Sequence, residues 1–283
     1  MKHVILDTDL GGDPDDVCAL LLALNSPELK IDLIITSDEY SQKRAKYAKL
    51  FLSLANKKIP VVSGAISQVS KKDECFIADK LISSEHVQIN NDFLPSIQKV
   101  IEKNKLTHYM CLGPESNLSE FIDKYPHLKN RVEITIMGSS LHHNRYRAGH
   151  NVHCDIKSAI NVFNSDWDKK YVLGDITHKD EILINEKHNF FKELSSSKKD
   201  YLNFIAKSIK YFFNKYGYVF FWLHDPLTVS SLINKDIIKF TNLKLRMNSK
   251  GVVSVSKEGR ETLVSESTDY ELFWRLFKER ILN

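Results

Sequence analysis

The 283-residue sequence predicts an α/β fold, with one Rossmann-like domain over residues 1–283 and a mostly parallel central sheet flanked by helices. Two observations predict this fold. Short apolar runs of strand length alternate with longer segments whose apolar residues recur at helical spacing, which is the pattern of βαβ units. The chain also has no internal repeat, linker or low-complexity segment that would divide it.

The alternation is clearest in the first two thirds of the chain. Apolar runs predict strands at residues 4–6, 31–36, 59–64, 107–112, 132–138 and 170–173. Helical spacing predicts helices at residues 17–24, 42–55, 93–104 and 158–163. Residues 66–91 are irregular and polar, so we interpret them as an excursion from the sheet, and residues 139–153 are predicted to form a loop.

The last third is predicted to be mainly helical. A helical pattern extends from Glu181 to Tyr216, a further helix is expected to start near Thr228, and residues 270–282 predict an amphipathic helix. Alternating valines at 252–255 predict an edge hairpin. Earlier in the chain, Ser116 or Asn117 is expected to cap the helix that follows the 107–112 strand.

Composition excludes several classes of protein. The formal net charge of +4 comes from scattered lysines and not from a basic stripe, so nucleic acid is not an expected partner. No apolar run is long enough to span a membrane, and the chain enters its first predicted strand without room for a signal peptide. The four cysteines are far apart and lack CxxC spacing, which indicates reduced thiols. These features predict a cytoplasmic protein.

The stretch Asp7-Thr8-Asp9-Leu10-Gly11-Gly12-Asp13-Pro14-Asp15-Asp16 carries the strongest chemical pattern. It places five carboxylates in ten residues, between an apolar strand and an apolar helix. Ionised carboxylates repel one another at this density and are costly to bury without a counter-charge. A solvated acidic loop is the alternative, but the apolar segments on both sides anchor this loop to the core. A hard divalent cation bound by oxygen ligands explains the cluster better.

Other polar clusters follow predicted strands or apolar stretches. In open α/β sheets, ligands bind outside the carboxyl ends of the strands. We therefore expect the acidic loop to meet the clusters at Asp38-Glu39, Ser116-Asn117, Asn151 and His224-Asp225.

These motifs resemble those of the inosine–uridine-type nucleoside hydrolases, which are calcium-dependent N-ribosyl hydrolases. The first is the Asp-x-Asp, glycine turn and Asp-Asp pair of residues 7–16, two residues longer than the commonest form. The second is His224-Asp225-Pro226-Leu227. Residues 113–118 and 173–178 are similar to the family's Gly-x-Leu-Thr-Asn and Leu-Asp-Val-Thr-His segments, and Asn151 matches its ribose-binding Asn. The resemblance covers the chain from end to end.

The resemblance implies hydrolysis of the N-glycosidic bond of a ribonucleoside to ribose and free base, for purine or pyrimidine salvage. Asp9, Asp16, Asp225 and the backbone carbonyl of Ser116 would hold Ca²⁺, with Asp15 close by, and the metal would bind ribose hydroxyls and one water. Asp9 would take a proton from that water. His224 is the candidate general acid, because histidine can carry a proton near neutral pH. The bond would break through a ribosyl cation.

The remaining implied contacts are to the ribose and the base. The expected ribose ligands are Asp15, Asp38, Glu39, Asn151 and Asp225. The expected base pocket contains His143, Tyr218 and Trp222, although core packing is an equally good interpretation of the two aromatic residues. A homodimer or homotetramer is expected, as in similar proteins.

The chain departs from the family where the ribose 5′ end would lie. Gly149 stands where members that cleave ordinary nucleosides have a Glu that holds the 5′-hydroxyl, and His143 stands near an expected Asn. Asp38-Glu39 replaces a Gly-Asn pair. These changes predict a modified or 5′-substituted nucleoside, or a remodelled pocket. Arg145 and Arg147 are candidates for a 5′-phosphate contact, with simple solvation as the alternative.

Two other functions remain open. A calcium-dependent ribose- or nucleoside-binding protein without turnover would keep the same motifs. A haloacid-dehalogenase-type phosphohydrolase also has Asp-x-Asp after its first strand, and Gly174-Asp175 resembles its metal-binding motif. That alternative leaves the Asp15-Asp16 pair and His224-Asp225-Pro226 unexplained.

Overall fold

The computed structural model describes residues 1–38, 41–67, 81, 88–143, 146–217 and 219–282. Its strands are β1 (Lys2–Thr8), β2 (Leu29–Thr36), β3 (Val61–Ser63), β4 (Thr107–Cys111), β5 (Val132–Met137), β6 (Lys169–Val172), β7 (Leu183–Asn185), β8 (Phe220–Trp222), β9 (Ile238–Met247), β10 (Val253–Val255) and β11 (Arg260–Thr268). Its helices are α1 (Asp15–Leu24), α2 (Lys43–Leu54), α3 (Phe93–Lys103), α4 (Ser116–Lys124), α5 (His150–Cys154), α6 (Ile156–Asn164), α7 (Gly174–Thr177), α8 (Asn189–Ser196), α9 (Asp200–Tyr216), α10 (His224–Ile233) and α11 (Tyr270–Leu282).

The central sheet has the order β10-β9-β11-β6-β5-β4-β1-β2-β3 within the described residues. The seven strands β11-β6-β5-β4-β1-β2-β3 pair in parallel. Strand β9 pairs antiparallel with both β11 and β10. The predicted mostly parallel α/β fold is therefore confirmed. The strand order reverses between β1 and β4, which places a crevice at their carboxyl ends. The acidic loop begins at this crevice.

The core lies on both faces of the sheet. Along β1, Val4 and Leu6 join one apolar cluster and Ile5 joins the other, because successive side chains of a strand point to opposite faces. Helices α1, α2, α9, α10 and α11 cover the first face, and α3, α4 and α6 cover the second. Strands β1 and β11 belong to one sheet, so the fold is a single α/β domain.

Several local predictions differ from the structure in the second half of the chain. Helix α10 begins at His224 and not near Thr228, because a proline such as Pro226 is accepted in the first turn of a helix. The predicted loop at 139–153 contains α5. The helical pattern at 181–216 divides into β7, α8 and α9, since β7 pairs with β8 in a separate two-stranded sheet.

The capping prediction for α4 is wrong. Helix α4 begins at Ser116, so neither Ser116 nor Asn117 stands before it as a cap. Both side chains bond to residues outside the helix: the Ser116 hydroxyl donates to Asp155, and the Asn117 amide donates to Asp7.

The edge hairpin is confirmed in part. Strands β9 and β10 form the antiparallel edge that the valines predict, while β11 lies inside the sheet and pairs in parallel with β6. Among the described residues, no helix is both long enough and apolar enough to cross a membrane.

Asn117 connects three segments behind the acidic loop. Its Nδ2 donates to the buried Asp7 carboxylate at 2.8 Å, and its Oδ1 accepts from the backbone N–H of Ala65 at 2.6 Å. The Tyr109 hydroxyl donates to the same carboxylate at 2.7 Å.

We predict that Asn117→Ala lowers the free energy of unfolding by about 2–3 kcal/mol, because a buried carboxylate loses a donor. The matched control is Asn161→Ala, whose amide donates to the exposed Asp123 carboxylate and should cost below about 1 kcal/mol. Urea denaturation measures both variants. Equal losses would contradict the role given to Asn117.

Candidate active site

Three buried carboxylates meet where the N-termini of α1 and α10 come together. Asp15 and Asp16 are the first two residues of α1, and Asp225 is the second residue of α10. One carboxylate oxygen from each lies within 4.8 Å of the others. Helix N-termini favour negative charge, so this is the end of each helix at which a carboxylate is least costly.

Burial raises the pKa of all three groups well above the ordinary value of 3.8, and repulsion from neighbouring aspartates raises it further. Two hydrogen bonds act in the opposite direction: the Thr8 hydroxyl donates to Asp16, and the Asp225 backbone N–H donates to Asp15 at 3.2 Å. Buried oxygen ligands in this arrangement fit a hard divalent cation, which would supply the missing positive charge.

Asp9 lies beside this cluster on the loop after β1. A Cβ built on Gly113 would stand 2.9 Å from the Asp9 backbone nitrogen and from its Oδ1, so the loop after β4 can approach closely only because residue 113 is glycine. Arg44 lies behind the same loop, fully buried, and donates to the backbone carbonyls of Asp9 and Leu10. It also lowers the pKa of Asp16.

Arg44 was missed by the sequence analysis. Arg44 occurs in a lysine-rich stretch at the start of α2, where a charged side chain is usually expected to be solvated. The one sequence signal was its position after the carboxyl end of β2, the edge of the sheet at which the site lies.

A cavity of about 510 Å³ opens over the acidic cluster. It brings together most of the predicted site residues: Asp9, Asp15, Asp16, His143, Asn151, Trp222, His224 and Asp225. Glu39 and Tyr218 lie outside the described residues. Asp38 is not among the residues that line the cavity, and its carboxylate accepts from the backbone N–H of Gln42.

Asn151 and Ser116 are held by well-defined partners. The amide of Asn151 donates to the Leu112 carbonyl at 2.5 Å and to the Met137 carbonyl at 3.1 Å, at the carboxyl ends of β4 and β5. The Ser116 hydroxyl donates to Asp155 at 2.7 Å, and Asp155 also caps α6. Ser116 is not among the residues that line the cavity, so its predicted metal contact stays a prediction.

An aromatic wall lines the same cavity as the carboxylates. His178 stacks between His143, with ring centroids 3.9 Å apart, and Trp222, at 3.8 Å. The Trp222 indole N–H is buried and has no hydrogen-bond partner among the described residues. His178 was not assigned a role from the sequence, although it ends the 173–178 segment that resembles the family.

Asp175 has a structural role in this wall. Its carboxylate accepts from the backbone N–H groups of Leu141 and His142, each at 2.7 Å, and so holds the turn that presents His143. This use of Asp175 removes one of the features that favoured a phosphohydrolase.

His224 differs from the sequence-based expectation in its protonation. Its Nδ1 lies 2.7 Å from the Thr177 hydroxyl. Desolvation, followed by the nearby His178 and His143, lowers the pKa of His224 to about 3. The ring is therefore neutral near pH 7, and any proton it donates comes from a neutral imidazole N–H.

Comparison with known proteins agrees with this geometry. The sequence model of the family described as "Inosine-uridine preferring nucleoside hydrolase" matches residues 4–275. The chain belongs to this family. The membership establishes its enzyme class, a nucleoside hydrolase that acts on N-glycosidic bonds, and agrees with the resemblance found in the sequence.

The relatives extend over nearly the whole chain. The pyrimidine-specific ribonucleoside hydrolase RihA of Escherichia coli (strain K12) is 26% identical over 288 residues, covering 94% of this chain and 88% of RihA. The purine-preferring ribonucleoside hydrolase from Gardnerella vaginalis has a similar fold, with a TM-score of 0.82 at 20% identity over 99% of this chain and 98% of that one. The Bacillus anthracis inosine-uridine preferring nucleoside hydrolase gives a TM-score of 0.80 at 15% identity, covering 100% and 99%.

The raised pKa values predict how stability depends on pH. Asp15, Asp16 and Asp225 bind protons more tightly in the folded chain than in the unfolded chain, where the pKa is near 3.8. With a chelator present, the unfolding temperature should therefore fall as the pH rises from about 4 to about 8. In this range the folded chain still binds protons on these carboxylates, while the unfolded chain has lost them, so rising pH favours the unfolded chain. Added Ca²⁺ should reverse most of this loss.

Thermal unfolding over this pH range, with chelator and with Ca²⁺, measures the effect. Asp225→Asn should flatten the pH dependence and abolish the response to Ca²⁺. A pH-independent unfolding temperature in the chelated protein would contradict the electrostatic account of the cluster.

Proposed function

We propose that this protein hydrolyses the N-glycosidic bond of a ribonucleoside, with Ca²⁺ as its metal. The observation that carries the proposal is one cavity lined both by the buried Asp15-Asp16-Asp225 cluster and by the stacked aromatic rings of His143, His178 and Trp222. A ribose has vicinal hydroxyls that suit an oxygen-liganded cation, and a nucleobase has flat faces that suit stacking. A single cavity with both walls therefore fits a nucleoside.

Asp9, Asp15, Asp16, Asp225 and the Ser116 carbonyl would hold the ion. When bound, Ca²⁺ would polarise water and the ribose hydroxyls and lower the pKa of the water. Donor chemistry supports this choice, since calcium prefers several carboxylate and carbonyl oxygens.

Asp9 is the proposed general base, and its carboxylate accepts a proton from the attacking water. Asp15, Asn151 and Asp225 hydrogen-bond the ribose hydroxyls, and Asp38 and Glu39 remain proposed ribose contacts from the second strand. The negative charges of the cluster stabilise the ribosyl cation that develops as the C1′–N bond breaks.

His224 is proposed to assist departure of the base by hydrogen bonding. Its neutral N–H acts as a hydrogen-bond donor to the base nitrogen, a role that a neutral imidazole fills in other enzymes. His143 and Trp222 form the proposed base pocket together with His178, and Tyr218 is proposed from the sequence alone. Gly149, which lines the cavity, supports a modified or 5′-substituted substrate because it leaves the 5′ end open.

We also propose that the enzyme works in the cytoplasm as a homodimer or homotetramer and supplies free purine or pyrimidine bases for salvage. The alternative function is a calcium-dependent nucleoside-binding protein. Gly149 favours it, because this residue stands where the family resemblance expects a Glu that holds the ribose 5′-hydroxyl.

Base release from a panel of nucleosides tests the proposed activity. The panel contains purine, pyrimidine, base-modified and 5′-phosphorylated nucleosides, each with Ca²⁺ and with a chelator. We expect release from at least one member and its loss on chelation. Binding without release would favour the nucleoside-binding alternative, and absence of both would overturn the proposal.

We expect Asp9→Asn to lower kcat by about 10³-fold or more while nucleoside binding is partly kept, because the general base is lost but the Asp15-Asp16-Asp225 cluster remains. Steady-state kinetics and calorimetric nucleoside binding measure the two effects. An unchanged kcat would exclude Asp9 as the base.

We expect His224→Ala to lower kcat by about 10²-fold on a nucleoside and to have little effect on p-nitrophenyl riboside, whose phenolate departs without a proton. Equal losses on the two substrates would assign His224 a positioning role instead.

A further inference from the structure

The loop between β1 and α1 receives little support from regular structure. The carbonyls of Asp9 and Leu10 lie beyond the end of β1 and before the start of α1. Two glycines follow them, and Gly11 has φ of +95°. Glycine has more conformational freedom than other residues, so a loop of this composition needs an anchor to keep one conformation.

Arg44 supplies that anchor. Its Nη1 donates to the Asp9 carbonyl and, at 3.1 Å, to the Leu10 carbonyl, so one guanidinium joins two consecutive residues of the loop. Arg44 is only 1% exposed. Buried carbonyl groups need hydrogen-bond partners, and a charged donor makes the stronger bond. These two bonds fix the backbone on the carboxyl side of Asp9.

The other side of Asp9 lies against Gly113. A Cβ built on Gly113 would stand 2.9 Å from both the Asp9 backbone nitrogen and the Asp9 Oδ1. The chain after β4 therefore packs against the amide and the carboxylate of Asp9, while Arg44 holds its carbonyl. Contact on both sides restricts how far Asp9 can move relative to the acidic cluster.

The chain is strained where it delivers Arg44 to the loop. Ser41 and Gln42 stand immediately before α2 and have φ of +54° and +67°. Residues with a Cβ rarely adopt this left-handed region, and such conformations persist where the surrounding structure imposes them. Burial of a guanidinium is also unfavourable. Two unfavourable features thus coincide here, and the bonds from Arg44 to Asp9 and Leu10 compensate the second of them.

We propose that Arg44 is a positioning residue that anchors the acidic loop at Asp9 and so holds the Asp9 carboxylate in place for the metal and the attacking water. This inference rests on the proposed function. The charge of Arg44 alone would act in the opposite direction, because a positive charge beside the cluster repels a cation. The two roles therefore predict changes of opposite sign in the affinity for Ca²⁺.

The first experiment measures the Kd for Ca²⁺ by calorimetry in Arg44→Met, which keeps an apolar stem and removes the guanidinium. We expect the Kd to rise about tenfold, the usual effect of losing a residue that orients a metal ligand. A role limited to charge predicts a lower Kd and would overturn the inference. The control is Lys46→Met, which removes a positive charge from a half-buried residue of the same helix that does not line the cavity. Its Kd should change by less than about twofold.

A double-mutant cycle shows whether Arg44 acts through Asp9. In an Asp9→Ala background, Arg44→Met should change the Kd for Ca²⁺ by less than about twofold, because the side chain that Arg44 holds is gone. An equal loss in both backgrounds would assign Arg44 a general structural role and overturn the inference.

Amide hydrogen exchange gives a readout that needs neither metal nor turnover. In the chelated protein, exchange at residues 9–12 should be about tenfold faster in Arg44→Met and unchanged in Lys46→Met. Unchanged exchange in Arg44→Met would contradict the anchoring role. If the unaltered chain neither binds Ca²⁺ nor cleaves a nucleoside, the proposed function fails, while faster exchange confined to residues 9–12 retains Arg44 as the anchor of the loop.

Discussion

Repulsion among buried carboxylates is the constraint on which this structure depends. Asp15, Asp16 and Asp225 are fixed at the first turns of two helices whose other residues are almost entirely buried, so the groups cannot move apart without disturbing the core. This repulsion is reduced by the N-termini of the two helices, by the hydrogen bond from the Thr8 hydroxyl to Asp16 and by the positive charge of Arg44. Burial and the repulsion that remains keep the pKa values of the three carboxylates raised, which is why a cation suits the site.

The topology explains how such a cluster can lie next to an apolar wall. Reversal of strand order between β1 and β4 separates the loops that follow them and opens a crevice at the carboxyl edge of the sheet. Strand β8, which pairs with β7 in the two-stranded sheet, ends at Trp222 and so brings this residue to the cavity, against His178. One cavity thereby has an ionic floor and an aromatic side, which is what a molecule with a polar sugar and a flat base requires.

The sequence departs from the family's motifs at Gly149 and His143, which line this cavity, and at Asp38-Glu39. The His224-Asp225 motif keeps the family pattern, and the acidic loop keeps its carboxylates although it is two residues longer than the commonest form. In the proposed reaction, the metal and the ribosyl cation require negative charge in fixed places, whereas the 5′ end of the substrate requires only shape and a hydrogen bond. Substrate choice can therefore change there while the chemistry stays the same.

The sequence by itself determined the α/β class, the order of most strands and helices, and the acidic loop, because apolar periodicity and charge density are local properties. It also located His224-Asp225, since a short motif does not depend on distant contacts. The start of α10, the division of residues 181–216 and the capping of α4 were decided by tertiary packing, which overrides local propensity. Only the tertiary structure placed Arg44 behind Asp9 and inserted His178 between His143 and Trp222, because each results from segments far apart in the chain.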